Sequence, residues 1–292
     1  MKYLLLSFIV SLISSIIIVR IKSKKMIDDT KGVQKFHSWQ APRVGGIAIY
    51  VGQIIAGISF FIGDKDFADK FLMVMVSSFP LFLSGLLEDL TKKVSPRLRL
   101  ISAFISGIVA VTLLGTNLRR IDIPVIDGIL ESSIILSSIF TAFALSGVAN
   151  AINIIDGFNG LASGVAIIIF LSYSYISFIL NDFFLLYLNL TMVASILGFL
   201  LLNYPFGLVF LGDSGAYTIG FIAGLSGVIM VNSHREVSAW FPLVLMFYPI
   251  WETLFSIWRK KYIRNRSPFE PDGLHLHMLI YKRIVRKLFY FL

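Results

Sequence analysis

Residues 150–160 read Asn-Ala-Ile-Asn-Ile-Ile-Asp-Gly-Phe-Asn-Gly and separate two long apolar runs, at 133–151 and 161–180. Polar side chains are costly at the edge of a bilayer unless they have a partner, so this cluster marks a candidate functional site. A turn with a helix cap explains its Asp-Gly and Asn-Gly dipeptides equally well. It does not explain Asn150 and Asn153, which share one helix face at the end of the preceding run.

The composition is typical of a protein that crosses a membrane several times. Of the 292 residues, 57% are hydrophobic and 15% are charged, and the mean hydropathy is +0.82. The chain has no cysteine, which excludes disulfides and thiolate chemistry. Its net charge of +9 fits membrane topology better than nucleic-acid binding, so we expect no nucleic-acid partner.

Apolar runs of about 18 to 21 residues recur along the whole chain, and each is long enough to cross a hydrocarbon core of about 30 Å. We therefore predict an all-α polytopic membrane protein, a single domain over residues 1–292, with about nine transmembrane helices. The predicted spans are 3–21, 44–62, 71–88, 98–115, 133–151, 161–180, 184–202, 215–232 and 238–258.

Lysine and arginine predict the orientation of these spans. Residues 20–43 hold seven, residues 89–99 hold four and residues 259–292 hold nine of the 26 in the chain. Because cytoplasmic loops are enriched in these residues, the N-terminus is expected outside and the C-terminus in the cytoplasm. Among the outer connections, 116–132 alternates around a turn and predicts a short β-hairpin.

With this topology, all the unusual polar clusters fall on the cytoplasmic side. Glu88-Asp89 ends the third span, where the helix dipole disfavours negative charge. A divalent cation or general-base role explains the pair, and neutralisation by Lys92 and Lys93 is the alternative. Asp213 opens the eighth span, either as a helix cap or as an oxygen ligand of Mg²⁺, and the two roles can coexist.

Two further clusters lie on the same side. His275 and His277 follow the basic segment 259–266 and suit a phosphate-rich ligand better than zinc, because no cysteine or third clustered histidine accompanies them. A surface turn with incidental histidines is the alternative. Gly45-Gly46, after Arg43, permits either close approach of a ligand to the backbone or close helix packing.

Taken in order, these motifs resemble the polyprenyl-phosphate N-acetylhexosamine-1-phosphate transferases, the superfamily of the WecA-type enzymes and the MraY translocase. The resemblance runs from about residue 30 to 280. It is carried by His37 with Pro42–Gly46, Gly85–Asp89, Ser95–Leu100, Asn150–Gly164, Asn203 with Phe210–Gly215, and Ser267–Phe269 with His275–His277.

The resemblance implies a Mg²⁺-dependent reaction, with Mn²⁺ as a substitute ion. Undecaprenyl phosphate attacks a UDP-N-acetylhexosamine, giving undecaprenyl-diphospho-sugar and UMP. This is the first step of a surface glycan such as O-antigen or teichoic acid. The implied location is the bacterial inner membrane, with the active-site cleft in the cytoplasm, and a homodimer is left open.

The resemblance also implies roles for individual residues. Asp213 is the metal ligand, and Glu88 and Asp89 orient or deprotonate the lipid phosphate or assist the metal. Asn153 and Asp156 shape the nucleotide site, and Phe210 stacks on uracil beside Asn203. His275 and His277 contact the diphosphate or the sugar. The remaining candidates bind substrate, and they are Arg43, Arg97, Arg99, Asn150 and Asn159.

The chain departs from the family pattern at several positions. Glu88-Asp89 replaces Asp-Asp, Asn159-Gly160 replaces Asp-Gly, and His275 and His277 replace a longer histidine run. Residues 279–292 form a basic amphipathic stretch where the family continues, so its C-terminal spans are expected to be missing or shortened. An MraY-type phospho-muramoyl-pentapeptide transferase, a non-catalytic relative and, more distantly, a transporter are the alternative functions.

The predicted orientation can be tested with reporter fusions. A reporter that is active only in the cytoplasm should be active when fused after Lys93 or Asn159, because both loops lie on the lysine- and arginine-rich side. A fusion after Asn181 is the matched control and should be inactive. An inactive reporter after either Lys93 or Asn159 would place that loop outside the cytoplasm and would contradict a site built on a single face.

Overall fold

Apolar helices make up most of the structure, a computed structural model that describes residues 1–21, Met26, 41–267 and 273–285. The helices in this part of the chain are α1 (Lys2–Ile21), α2 (Gly46–Phe60), α3 (Lys65–Thr91), α4 (Pro96–Leu114), α5 (Pro124–Ser132), α6 (Ile134–Ile155), α7 (Leu161–Ile179), α8 (Phe183–Asn203), α9 (Gly212–Ser233), α10 (Trp240–Leu245), α11 (Phe247–Trp258) and α12 (Leu276–Ile280). Short π-helical turns follow α11 and α12.

Polar residues in the connections determine where several of these helices begin. The side chains of Asp64, Ser95, Ser133 and Asp182 each accept a hydrogen bond from the backbone N–H three residues later. Each cap satisfies a donor that the first helical turn leaves unpaired. The apolar runs therefore become separate helices instead of one continuous rod.

Helix α9 is the centre of the bundle and is buried throughout Gly212–Val228. It packs against α2, α3, α6, α7 and α8. Small residues allow the approach, because a Cβ atom on Gly220 would lie 2.8 Å from the Cα atom of Ala149 in α6. Between apolar helices in lipid, close contact of this kind replaces the hydrophobic effect as the source of stability.

The two ends of the bundle collect different parts of the chain. At one end Tyr3 stacks near Phe60, with 4.0 Å between ring centroids, and His234 contacts Asp182 at 2.9 Å. At the other end the last turns of α3, α6 and α8 meet the first turns of α4 and α9. The expectation that the polar clusters share one end is therefore confirmed, while the side of the membrane stays a prediction.

The prediction of nine spans is confirmed only as a polytopic helical architecture. Seven described helices are long and apolar enough to cross a membrane. Helix α2 has only 15 residues, and the predicted span 238–258 is divided at Met246 into α10 and α11. The predicted amphipathic stretch 279–292 is described only as far as residue 285.

The predicted β-hairpin within 116–132 is wrong, because its second half is helix α5. Pro124 occupies the first helical turn, where its missing N–H is harmless. The side chain of Asp127 accepts a hydrogen bond from the N–H of Ile121 at 2.7 Å and holds the preceding loop against the helix. The alternating apolar residues of this segment lie partly on a helix with one buried residue, Leu130, and do not form two strands.

Polar side chains also join α1 to the bundle. Ser7 and Ser195 lie 2.5 Å apart, and the amide of Gln53 donates to Ser195 at 2.9 Å. All three are fully buried. Since a polar group in hydrocarbon needs a partner, these bonds fix the register of α1 against α2 and α8.

The close packing of α4 on α6 predicts a stability difference between two glycine variants. A Cβ atom on Gly107 would lie 2.5 Å from the Cα atom of Ala142, whereas one on Gly147 would meet nothing within 4 Å. Gly107→Ala should lower the apparent Tm in detergent through an overpacking penalty of about 1–3 kcal/mol. Gly147→Ala should leave Tm unchanged or raise it slightly. Equal Tm values for the two variants would contradict the packing.

Candidate active site

Asp213, in the first turn of α9, is the centre of the polar end of the bundle. Its carboxylate is buried and accepts hydrogen bonds from Arg43 at 2.5 Å, from Asn153 at 3.2 Å and from Arg99. The two arginines come from different parts of the chain, before α2 and in the first turn of α4. One anion thus brings three segments together, since a buried carboxylate requires paired charges.

Asp89 holds the start of α9 in place. One of its carboxylate oxygens accepts the N–H of Asp213 at 2.8 Å, and the other accepts the N–H and the hydroxyl of Ser214 at 2.9 and 2.7 Å. Helix α9 has no side-chain cap of its own, so Asp89 of α3 supplies that cap from a neighbouring helix. The positive end of the helix dipole also favours this carboxylate.

Gly212 makes this arrangement possible. Its φ of +75° is one that side chains other than glycine rarely adopt. A Cβ atom there would lie 2.4 Å from the carbonyl oxygen of Arg43 and 2.6 Å from the carboxylate of Asp89. The requirement for glycine at position 212 is therefore structural and independent of any ligand.

The segment before α2 crosses the site as a strap, here residues 42–45. The N–H of Phe210 donates to the carbonyl of Pro42 at 2.8 Å, and the N–H of Gly45 donates to the carbonyl of Phe210 at 2.9 Å. This pairing places Arg43 between Asp89 and Asp213, with its Nε atom 3.6 Å from Asp89. The ring of Phe210 is half-buried at the same place.

The end of α6 brings Asn153 and Asp156 to the site. Asp156 ends the helix, and burial raises the pKa of its carboxyl to about 7, although the positive charge of Arg43 opposes that rise. A carboxyl with this pKa is half ionised near neutral pH. A cation brought close to Asp156 would favour the carboxylate form.

Asn203 is buried and joins two loops of the site. Its amide nitrogen donates to the carbonyl of Val209 at 2.8 Å, and its amide oxygen accepts the N–H of Gly160 at 2.8 Å. Both functional groups of the side chain are thereby engaged with backbone. These contacts hold the loops at Gly160 and Val209, and the implied role of Asn203 in binding the uridine together with Phe210 stays a prediction.

His275 and His277 are also buried, and they pack against the first half of α11. Nδ1 of His275 lies 2.8 Å from Glu252, and Nδ1 of His277 lies 3.1 Å from the hydroxyl of Tyr248. The two imidazole rings are parallel, with their centroids 5.6 Å apart. The alternative of a surface turn with incidental histidines is therefore wrong.

His277 connects this pair to the Asp156 loop. A Cβ atom on Gly157 would lie 2.5 Å from Nε2 of His277, so the imidazole fits only because residue 157 is glycine. Burial first, and the neighbouring His275 second, lower the pKa of His277 to about 4, although the negative charge of Glu252 opposes that shift. The ring is therefore neutral at physiological pH.

Glu252 is a functional candidate that the sequence analysis missed. It is buried in α11 and accepts the N–H of Leu276 at 3.2 Å in addition to its contact with His275. The available signal was its position inside an apolar run, because an ionisable residue in a membrane span indicates a functional or paired group.

The remaining candidates lie at the edge of the site. Glu88 points to the loop before α4 and accepts the N–H of Val94 at 2.8 Å. The side chains of Arg97, Asn150 and Asn159 make no hydrogen bond or ion pair among the described residues, and Arg97 is exposed. Their proposed contacts with substrate stay predictions. His37 lies outside the described residues.

Carboxylates are the groups at this site that suit a hard cation. Within the described ranges, no set of three or more histidine, aspartate or glutamate side chains could enclose a metal ion. Mg²⁺, however, is commonly bound by one or two carboxylates together with substrate phosphates and water. Asp213 and Asp156 are therefore compatible with Mg²⁺ bound in this way. The described residues do not form a site in which protein side chains alone enclose the ion.

Comparisons with known proteins agree with the motifs. The sequence profile of glycosyl transferase family 4 matches residues 71–231. A probable undecaprenyl-phosphate N-acetylglucosaminyl 1-phosphate transferase of Bacillus subtilis (strain 168) is 30% identical over 286 residues, covering 94% of this chain and 76% of the relative. An undecaprenyl-phosphate alpha-N-acetylglucosaminyl 1-phosphate transferase of Thermotoga maritima is 27% identical over 272 residues, covering 93% and 78%.

A second group of relatives carries a different name. A phospho-N-acetylmuramoyl-pentapeptide-transferase of Lactobacillus johnsonii is 24% identical over 274 residues, covering 88% of this chain and 83% of the relative. Together with the seven apolar helices, these bacterial relatives identify the chain as a multi-pass bacterial membrane protein. The resemblance inferred from the motifs is confirmed.

The two members of the acidic pair should differ in their effect on stability. Asp89→Asn removes the charge and one acceptor from three buried hydrogen bonds, so it should destabilise the protein by about 1.5–3 kcal/mol and lower the apparent Tm. Glu88→Gln affects one partly exposed backbone contact and should change stability by less than about 0.5 kcal/mol. Thermal unfolding of both variants in detergent measures the difference. A larger effect for Glu88→Gln would contradict the capping role of Asp89.

Proposed function

The chain belongs to glycosyl transferase family 4, and from this premise we propose that it transfers a UDP-activated N-acetylhexosamine 1-phosphate to undecaprenyl phosphate. The products are undecaprenyl-diphospho-sugar and UMP, and the reaction begins a surface glycan such as O-antigen or teichoic acid. The relatives at 30% and 27% identity carry names that support this chemistry and make UDP-N-acetylglucosamine the first donor to test.

The observation that carries the proposal is the position of Asp213 between Arg43 and Arg99 at one end of the bundle. Phosphoryl transfer requires positioning and neutralisation of charge more than covalent chemistry by the protein. Two arginines that already hold one oxyanion are suited to hold phosphate oxygens, because guanidinium groups bind both with the same geometry. Arg43 and Arg99 are therefore proposed to bind the phosphates of donor and acceptor.

The other side chains would orient the substrates. We propose that the ring of Phe210 stacks on uracil, and that Asn203 maintains the loop that presents it. Asn153 holds Asp213 at the correct angle through its amide. Glu252 fixes the orientation of His275, and His277 keeps the 156–160 loop closed over the donor.

Mg²⁺, or Mn²⁺ in its place, is the proposed cofactor, with Asp213 as its main ligand and Asp156 as the second carboxylate. When bound, the ion would neutralise charge on the diphosphate and on the departing UMP. Arg43 and Arg99 balance the charge of Asp213 in this structure, and with a cation held by Asp213 both arginines would be available to bind phosphate oxygens. Asp89 keeps its structural contacts with α9 throughout.

The proposed topology places this end of the bundle in the cytoplasm. We propose nine passages, with α2 as a short span and α10 with α11 as a broken one. The count puts the N-terminus outside and keeps the ends of α3, α6 and α8 inside, where nucleotide sugars are found. The excess of lysine and arginine at the same end supports this orientation.

Release of UMP by the purified protein tests the proposal. With undecaprenyl phosphate, Mg²⁺ and UDP-N-acetylglucosamine, the protein should release UMP, and EDTA should stop the release. Asp213→Asn should lower kcat by at least about 100-fold, because a neutral amide is a poor ligand for Mg²⁺ and the charge stabilisation that the ion would supply is lost. Asp66→Asn, on the opposite end of the bundle, removes an exposed carboxylate and should keep the wild-type rate.

The choice of donor separates the alternatives. UMP release only with UDP-muramoyl-pentapeptide would indicate the second named activity among the relatives. No release with any UDP-amino sugar, from protein that is monodisperse and thermally stable, would support a non-catalytic relative. Full activity of Asp213→Asn would overturn the central role of this residue.

A further inference from the structure

A second polar cavity lies at the end of the bundle opposite the candidate active site. It has a volume of about 1160 Å³ and opens between the first turns of α3 and α8, the ends of α4 and α9, and helix α5. Both charged and apolar side chains line it. None of the residues assigned to the transferase site contributes to it, so the proposed reaction does not explain this cavity.

The acidic residues of the cavity are mostly engaged in local structure. Asp127 accepts the N–H of Ile121 at 2.7 Å. Asp182 accepts the N–H of Leu185 at 3.0 Å and contacts His234 at 2.9 Å. Glu131 is the remaining carboxylate of the described lining, and it is exposed.

The basic residues divide differently. Arg120 is fully used as a clamp, because it donates to the carbonyls of Arg235 and Val237 at 3.0 and 2.5 Å and lies 3.4 Å from Asp122. Lys70, Arg119 and Arg235 are exposed, and none of them forms an ion pair within the described residues. Arg119 donates to Asn117 through Nε at 3.3 Å, and its terminal nitrogens form no hydrogen bond among the described residues. The lining therefore has four cationic side chains against the three carboxylates of Asp127, Glu131 and Asp182, and three of the four cations form no ion pair within the described residues.

Apolar side chains complete the walls. Met73, Leu113 and Phe184 line the cavity below the charged rim, on helices that are long enough to cross a membrane or end at its edge. A free inorganic anion would use only the cations. An amphiphile with an anionic head uses both parts of the lining, and cations at the ends of spans attract such headgroups.

We propose that this cavity is a binding site for an anionic phospholipid, with its phosphate between Lys70, Arg119 and Arg235 and its acyl chains against Met73, Leu113 and Phe184. The site lies in the leaflet opposite the candidate active site. It does not depend on the proposed transferase activity, so the two can be tested separately.

Lipid binding by the full purified chain tests this site. In neutral detergent, native mass spectrometry should show that the protein retains dioleoylphosphatidylglycerol and exchanges dioleoylphosphatidylcholine, which has the same acyl chains. The triple variant Lys70→Gln, Arg119→Gln, Arg235→Gln should bind phosphatidylglycerol at least about tenfold more weakly. The double variant Lys2→Gln, Lys65→Gln is the matched control, since both lysines are exposed at the same end outside the cavity, and it should bind as the wild type does.

Several outcomes would overturn the proposal. Equal retention of the two lipids by the wild type, or equal phosphatidylglycerol binding by the wild type and the triple variant, would exclude a site for an anionic headgroup here. Displacement of the lipid by millimolar inorganic phosphate would show that the cations bind free anions. If the triple variant is not monodisperse, the three single variants decide the matter, because each changes an exposed side chain and each should weaken binding.

Discussion

The contact on which the polar end of the molecule depends is the cap that Asp89 provides to α9. Three hydrogen bonds from one buried carboxylate join α3 to the first turn of the most buried helix. That cap determines where α9 begins, and therefore where Asp213 stands. Arg43 can reach both carboxylates because the strap at 42–45 pairs with Phe210, which lies immediately before α9. The residue that caps α9 is thus bonded directly to the residue proposed to bind the metal ion, so a substitution of Asp89 would change the position of Asp213.

The position of Asp213 also depends on how closely the neighbouring helices pack around α9. A helix surrounded by five others in lipid gains little from the hydrophobic effect and must gain from close contact. Glycines supply it where backbones nearly touch, as at Gly46 against Gly215 and Gly85 against Ser214. These two contacts lie within one turn of Asp213, so the precision of the site and the density of the packing have a common origin. Polar bonds such as that between Ser7 and Ser195 perform the equivalent task for α1, which has only one face in the bundle.

Apolar run length and charge bias were sufficient to predict most of the spans and the meeting of the polar clusters at one end. Local patterns were less informative where short elements depend on tertiary contacts. Residues 116–132 alternate as strands do, but Pro124 and the bond from Ile121 to Asp127 favour a helix. Glu252 was missed because its partner, His275, is 23 residues away and on a different element. The sequence also could not assign separate roles to Glu88 and Asp89, because adjacent side chains on a helix point to different neighbours.

The departure at Glu88 is less consequential than it looks in the sequence. A shorter aspartate at position 88 would have to reach the N–H of Val94 across a gap that the extra methylene of glutamate closes. The neighbouring carboxylate, which caps α9, has no such freedom, because its oxygens are both committed to backbone donors. Position 88, which faces the loop, therefore tolerates substitution. Position 89, which faces α9, does not. The same reasoning separates Asn159, whose side chain has no partner among the described residues, from Asn203, whose amide joins two loops. In both pairs the residue with buried backbone contacts is the one that holds the site together, because Asp89 caps α9 and Asn203 joins the loops at Gly160 and Val209.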